Sequence, residues 1–176
     1  MGTDKEIQRA VDSMVILVDT REQDTEQLKE RLAMLCHEYR REALDAGDYM
    51  VEYQTSDGAT VRLPVAIERK MSLDELATCF TSERERFLNE MERLLAAGTK
   101  TYLLVEKASW KKIYHKDYRS RMSVNSFMGS LMWWSVHYDF HIIFCEQAYS
   151  GWLIGKILQY EVCEDARRRK NDSHQG

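Results

Sequence analysis

The first ordered feature in the alternation of apolar and polar positions is MVILVD, residues 14–19. It is a short continuous apolar run that predicts a strand covered on both faces. Leu28, Leu32 and Leu35 then recur at helical spacing, with Asp24 placed to cap that helix. Tyr49, Val51 and Tyr53 alternate in GDYMVEYQT, SDG at 56–58 is a turn signal, and TVRLPVAIE at 60–68 reads as the return strand of a hairpin. Pro64, the only proline, predicts an edge or an irregularity in that return strand.

Further along, Ser72 and Glu75 form a capping box, and one helix is expected from there to Ala97, ended by Gly98. TYLLVE (101–106) and HIIFC (141–145) read as strands. Val124, Phe127, Leu131 and Trp134 mark a helix over 123–139, and a last helix runs through 149–170. This order of elements predicts an α/β fold: a mixed central β-sheet flanked by helices on both faces. The expected organisation is a flexible segment over 1–13, one domain over 14–166 and a basic flexible tail over 167–176.

At 176 residues, 44% hydrophobic and 31% charged, the composition is that of a globular domain able to bury a core. No apolar run approaches the roughly 18 residues that span a bilayer, and the N-terminus lacks the apolar core of a signal peptide. An intracellular protein without membrane partners is expected, cytoplasmic in a prokaryote or phage and nuclear in a eukaryote. Cys36, Cys79, Cys145 and Cys163 form no C-x-x-C pair, which fits reduced thiols better than disulfides or a zinc knuckle. The net charge of −4 is unevenly spread: residues 1–106 carry 22 acids and 14 bases, residues 107–176 carry 7 acids and 11 bases. An acidic part beside a basic part suits a metal site next to a phosphate-binding surface.

The candidate chemistry lies in VAIERKMSLDEL, residues 65–76. On a strand Glu68 and Lys70 share one face and Arg69 takes the other. Asp48, just behind Gly47, starts the opposite arm of the predicted hairpin and should approach Glu68. Asp19 and Glu22 in VDTRE follow the first strand, at the end where α/β folds place their sites. Carboxylates that converge without counterions repel one another unless a hard divalent cation such as Mg2+ joins them, and such a cation also accepts phosphate oxygens. Taken alone, E-x-K is as readily a solvated strand face or a weak ion pair.

Together, VDTRE, GDY and VAIERKMSLDEL resemble the nuclease domain of the XPF family of structure-specific endonucleases, whose signature is GD…ERKxxxD. Gly47, Asp48, Glu68, Arg69, Lys70 and Asp74 match it in order and spacing, and the similarity continues through RFLNEMERL and TYLLVEK to NSFMGSLMWWSVHYDFHIIF. The resemblance implies a restriction-endonuclease-like core that uses Mg2+ or Mn2+ to hydrolyse phosphodiester bonds in branched or flapped DNA, during repair or recombination. It implies Asp19, Asp48 and Glu68 as metal ligands and Lys70 as the catalytic lysine, with Glu22, Arg69 and Asp74 in support. Arg86 would approach a phosphate, with Arg84 as the alternative because TSE reads as a short insertion before it. Relatives pair through their nuclease domains, so a homodimer or heterodimer is expected. The tandem helix-hairpin-helix units of cellular relatives find no room in these 176 residues, so their substrate selectivity is not carried over. A non-catalytic DNA-binding or interaction module that keeps the fold is the alternative from another class. A nuclease acting on RNA or unbranched DNA is a third reading.

Other features have structural readings beside functional ones. Trp110, Tyr114 and Tyr118 form a stripe at helical spacing, amid Lys111, Lys112, Lys116, Arg119 and Arg121. The stripe reads as packing, and the bases, Lys111, Lys112 and Lys116 first, as DNA contacts. Trp133 and Trp134 point about 100° apart on a helix, so one is expected in the core and the other at a surface or interface. His137 and His141 read as structural rather than zinc-binding. Gly151 and Gly155 predict close helix packing, and RRRK at 167–170 complements a helix C-terminus, or else serves phosphate binding or import.

Overall fold

Pro64 divides the predicted return strand in two. In the structure, a computed structural model that describes residues 5–173, β4 (Thr60–Arg62) ends before the proline and β5 (Val65–Lys70) begins just after it. The other elements, in chain order, are α1 (Lys5–Asp12), β1 (Val15–Asp19), α2 (Glu26–Ala33), β2 (Glu38–Glu42) and β3 (Tyr49–Gln54) ahead of β4. After β5 come α3 (Leu73–Phe80), α4 (Arg84–Ala96), β6 (Lys100–Glu106), α5 (Trp110–Tyr114), α6 (Val124–Tyr138), β7 (His141–Cys145) and α7 (Ser150–Ser173). The class is α/β, as the pattern predicts. The described residues group into two compact units.

The first unit takes residues up to Leu44, Tyr49–Val65 and the chain from Gly151 onward. Its strands run in the order β2-β1-β3-β4. The pairing is mixed: β1 is parallel to β2 (Val15 opposite Glu38, Asp19 opposite Glu42) and antiparallel to β3 (Val18 opposite Tyr49). Ile16, Leu17 and Val18 are fully buried, as a continuous apolar run requires. The strand β2 left no apolar signature. It is an exposed edge whose Arg40 pairs with Glu42 of the same strand and Glu52 of β3, and a charged edge is blunted against pairing with other chains.

Thr25, not Asp24, caps α2 by accepting the Leu28 amide on its side chain. Gly151 and Gly155 of α7 pack against the backbone around α2: a Cβ on either would lie 2.1 Å from the carbonyl oxygen of Arg31 or Leu35. The predicted close packing is therefore obligatory. The ends expected to be flexible are helical as far as they are described. α1 buries Ala10, and the basic segment 167–170 continues α7, held by Arg167 and Arg168 to Glu164, Arg169 to Asp165, and Lys170 to Glu6. The three pairs to Glu164 and Asp165 lie within the helix and favour a helical basic run, and the Lys170 pair ties it to α1. Residues 1–4 and 174–176 lie outside the described residues.

The second unit takes Asp45–Asp48 and Ala66–Ser150. Its strands run β5-β6-β7, with β6 parallel to β7. The single helix expected over 72–97 is two, α3 and α4. Thr81 turns its hydroxyl back onto the Ala77 carbonyl at 2.8 Å, a local alternative to continuing the helix, and the chain re-enters at Arg84. Packed against these helices, Trp134 of α6 is fully buried, edge-on to Phe80 and stacked on Phe87 with centroids 4.8 Å apart in both cases. Trp133 is half-exposed and stacks on His137, so the two tryptophans divide as predicted. The aromatic stripe does not: α5 stops after one turn, Tyr114 and Trp110 are exposed, and only Tyr118 is buried, on a loop against Phe127. Among the described residues, no helix is long and apolar enough to cross a membrane.

Candidate active site

Gly47 has φ +77°, and a Cβ there would sit 3.0 Å from the Cβ of Ala66. A residue without a side chain satisfies both constraints. Its amide donates to Glu90 Oε1 at 3.1 Å, and the next amide, of Asp48, donates to the Ile67 carbonyl at 2.9 Å. The Asp48 side chain then returns to β5: its Oδ2 accepts the Arg69 amide at 2.7 Å. The approach of Asp48 to the E-R-K strand, expected of a hairpin, is thus made by its own backbone and carboxylate together.

Along β5 the side chains alternate as the strand period requires. Glu68 and Lys70 are both buried, and Lys70 Nζ donates to Glu68 Oε1 at 2.6 Å. Arg69 leaves on the other face and pairs with buried Glu106 at the end of β6, at 3.2 Å. Burial alone would lower the Lys70 pKa, but the carboxylates of Glu68 and Asp48 outweigh it and hold the ammonium protonated well above its usual range. For Glu68 burial dominates and pushes the carboxyl upward, opposed by Lys70 and reinforced by Glu90 and Glu75. Lys70 Nζ also lies 5.0 Å from the Phe87 ring centroid. Burial pushes the nearby Cys79 thiol up to about 11, so it packs as a neutral group.

The second unit therefore brings together Asp48, Glu68, Arg69 and Lys70, with Glu90 added. Glu90 and Glu106 were not singled out from sequence. Glu90 could have been found one helical turn after Arg86, and Glu106 as an acid ending a buried strand. Glu68 Oε2 is buried and has no hydrogen-bond partner, while Glu68 and Asp48 both act on Lys70. An orphaned buried carboxylate oxygen, on the strand whose Arg69 amide holds the Asp48 carboxylate, fits a hard divalent cation, which needs only one or two carboxylates and keeps waters for the rest. Among the described residues no cluster of three or more His, Cys, Asp or Glu side chains has metal-ligand grouping, so the fit rests on this pair.

Asp19 and Glu22 belong to the first unit and have partners there. Asp19 is buried and ion-paired with Arg21, and also accepts the Arg21 amide at 3.0 Å. Glu22 Oε2 is 3.2 Å from both Arg31 Nη1 and Tyr49 Oη. Of the remaining predicted residues, Asp74 accepts the amides of Arg119 and Ser120 at 2.7 and 3.1 Å, away from Glu68 and Lys70 in its contacts. Arg86 is exposed, 3.6 Å from Glu83, and shares a helical face with Glu90. Arg84 instead lies over the Trp134 ring. Lys111 and Lys116 are exposed, whereas Lys112 turns its Nζ onto the Lys107 carbonyl at 2.9 Å.

Residues 18–151 match the family model described as ERCC4 domain. Among solved structures, the chain is similar to XPF from Aeropyrum pernix, with a TM-score of 0.61 and 19% identity over 84% of this chain and 61% of that one. It is likewise similar to XPF from Aeropyrum pernix in complex with DNA, with a TM-score of 0.59 and 18% identity over 86% of this chain and 66% of that one. At such identity the likeness concerns the fold, and the chain spans less than two thirds of either structure's length. No curated protein sequence matches.

Proposed function

We propose a function from one premise, that the chain belongs to the ERCC4 domain family: it is a divalent-metal-dependent endonuclease that cleaves branched or flapped DNA. One observation carries the reading. Glu68, buried and bonded to Lys70, keeps one oxygen without a hydrogen-bond partner, on the strand whose Arg69 amide holds the Asp48 carboxylate. Asp48 and Glu68 would hold Mg2+ or Mn2+, which supplies Lewis acidity, easing deprotonation of a water and offsetting charge on the leaving oxygen. Lys70, protonated, donates one N–H to Glu68 and retains two more to offer a phosphate oxygen where charge develops. The Arg69 amide holds the Asp48 carboxylate in one orientation, and the Arg69 guanidinium, facing Glu106, locks the strand that carries the set. Arg86, exposed on the Glu90 face of α4, is the better candidate of the two arginines for a DNA phosphate. Lys111 and Lys116 extend the phosphate-binding surface.

We place the protein inside the cell, acting in repair or recombination, alone or as one half of a dimer. A labelled panel of duplex, single strand, 3′ flap, fork and four-way junction, incubated with and without Mg2+ or Mn2+, tests the reading. Metal-dependent cutting concentrated on the branched members is expected. Cutting that persists in EDTA rules out the metal mechanism.

The second reading, a DNA-binding module without catalysis, has its own observation: Lys70 and Glu68 already form a buried ion pair, which can serve structure alone. The same panel separates them, since such a module would bind branched DNA and leave every member uncut.

A further inference from the structure

We infer that Asp74, the last acid of the ERKxxxD signature, is a positioning residue for a phosphate-binding loop at 116–121 and not a member of the metal-binding set. The inference rests on the nuclease reading above, but its central measurement does not require cleavage.

The Asp74 carboxylate is committed to one segment. Oδ1 accepts the backbone amides of Arg119 at 2.7 Å and Ser120 at 3.1 Å, and Oδ2 accepts Arg119 Nε at 3.3 Å. Burial would raise this carboxyl, yet the Arg119 and Ser120 bonds more than offset it and hold Asp74 below the ordinary carboxylate range. The start of the loop is also tied by its backbone, the Lys116 amide to the Ile113 carbonyl at 3.0 Å and the Asp117 amide to the Lys112 carbonyl at 2.8 Å. Its start is a left-handed Lys116 at φ 55°, and Tyr118 roots it against Phe127 while its hydroxyl donates to the Met122 carbonyl at 3.2 Å. Lys116, Arg119 and Arg121 are all exposed, with Asp117 the only acid among residues 115–122. Arg119 keeps 94% of its side chain in solvent despite the contact with Asp74. A guanidinium held near its base and open at its tip is pre-organised for a phosphate.

Asp74 sits four residues after Lys70, in the first turn of α3. It therefore ties a basic loop to the helix that directly follows the catalytic strand, giving the signature spacing a physical purpose: the loop's bases are registered against the site. The ligand class is the nucleic-acid sugar-phosphate backbone, met without base readout.

The test measures binding of the 176-residue chain to a labelled 3′-flap duplex in EDTA across a salt series, with melting temperatures in parallel. Asp74→Ala should weaken binding several-fold and reduce the salt slope by about 1 to 2, at about 0.9 per lost phosphate contact on duplex. Arg119→Ala/Arg121→Ala should match it, and the triple variant should add little. Asp74→Asn keeps an acceptor for both amides and should restore most of the affinity. In cleavage assays with metal, the Asp74→Ala loss should fall on KM rather than kcat. An unchanged salt slope in Asp74→Ala, or a kcat loss that Asn does not rescue, overturns the inference. If Asp74→Ala fails to fold, the Asn variant and the arginine pair still decide it. Wild type that binds the flap without cutting it would sink the nuclease reading and leave this one standing.

Discussion

The amide of Arg69 donates to the carboxylate of Asp48 at 2.7 Å, so the residue between Glu68 and Lys70 on β5 positions a third charged side chain through its backbone. The relationship explains why G-D and E-R-K can act as one signature despite twenty residues of separation. Gly47 supplies the turn, Asp48 returns to the strand, and the Arg69 side chain is left to brace the opposite face against Glu106. Backbone-fixed carboxylates need little reorganisation to receive a cation.

Metal binding should therefore be separable from folding. Mn2+ or Mg2+ at about a hundred times its dissociation constant adds about 2.7 kcal/mol to the native state, a rise of several degrees in melting temperature for a chain of this size. Asp48→Asn preserves an acceptor for the Arg69 amide and should keep the metal-free melting temperature while losing most of that shift and the cleavage. An Asn variant that still gains the full shift would place the cation elsewhere.

Because burial raises the Glu68 carboxyl, its acid form persists to higher pH than that of an exposed glutamate. Activity at fixed low metal should fall as pH drops through that raised value, since the protonated group cannot bind a cation. Raising the metal concentration should move the acid limb of the profile to lower pH, because metal and proton compete for one carboxylate. A limb that stays put as metal varies belongs to another group.

The strands with apolar cores were legible because β1, β5 and β6 are buried nearly throughout. The signature was legible because strand alternation alone puts Glu68 with Lys70 and Arg69 opposite. What escaped the sequence was decided by partners distant in the chain. β2 has no aliphatic residue and leaves its one aromatic, Tyr39, exposed, so its pairing rests on a parallel ladder to β1 and on ion pairs with Glu52 and Arg62. The break at Thr81 depends on a hydroxyl choosing the Ala77 carbonyl, and the helicity of 167–170 on acids one turn earlier. Glu90 joined the site only through the Gly47 amide, across forty-three positions.

Gly151→Ala and Gly155→Ala test the packing of the first unit. Each added methyl would meet a backbone carbonyl at 2.1 Å, which no rotamer change relieves. Overpacking of this kind costs about 1–3 kcal/mol or more, so each variant should melt several degrees below wild type. An unchanged melting temperature would mean that α7 can move away from α2 at little cost.

The basic helix offers an unequal pair of outcomes. Lys111 and Lys116 are exposed, while Lys112 is spent on the Lys107 carbonyl. Replacing Lys111 and Lys116 with Ala should flatten the salt dependence of DNA binding by about 0.9 per contact on duplex, and Lys112→Ala should act mainly on helix stability. Equal slopes for all variants and wild type would make α5 and the start of the loop after it a solvated surface.

Lys70 faces a sharper test, because the proposed function adds a second duty to the one the structure shows. It pairs with Glu68 at 2.6 Å inside the protein, and under the proposed function it would also help a reacting phosphate. Removing it with Lys70→Ala leaves a buried carboxylate without its lysine, a loss on the order of 3–5 kcal/mol in the metal-free state. The same substitution removes the competitor for Glu68, so Mn2+ should bind more tightly and restore more stability to the variant than it adds to wild type. Cleavage should nonetheless remain down by about a hundredfold or more at saturating metal, as for loss of one directed electrostatic contact. Arg69→Ala is the control: it strips the partner of buried Glu106 on the far face and should lower stability, with a smaller effect on the chemical step in whatever fraction stays folded. Calorimetric titration of Mn2+, melting curves and single-turnover cleavage on the three proteins separate the duties. If metal restores Lys70→Ala in both stability and cleavage, the lysine is a structural counterion and the charge on the reacting phosphate is met by other groups.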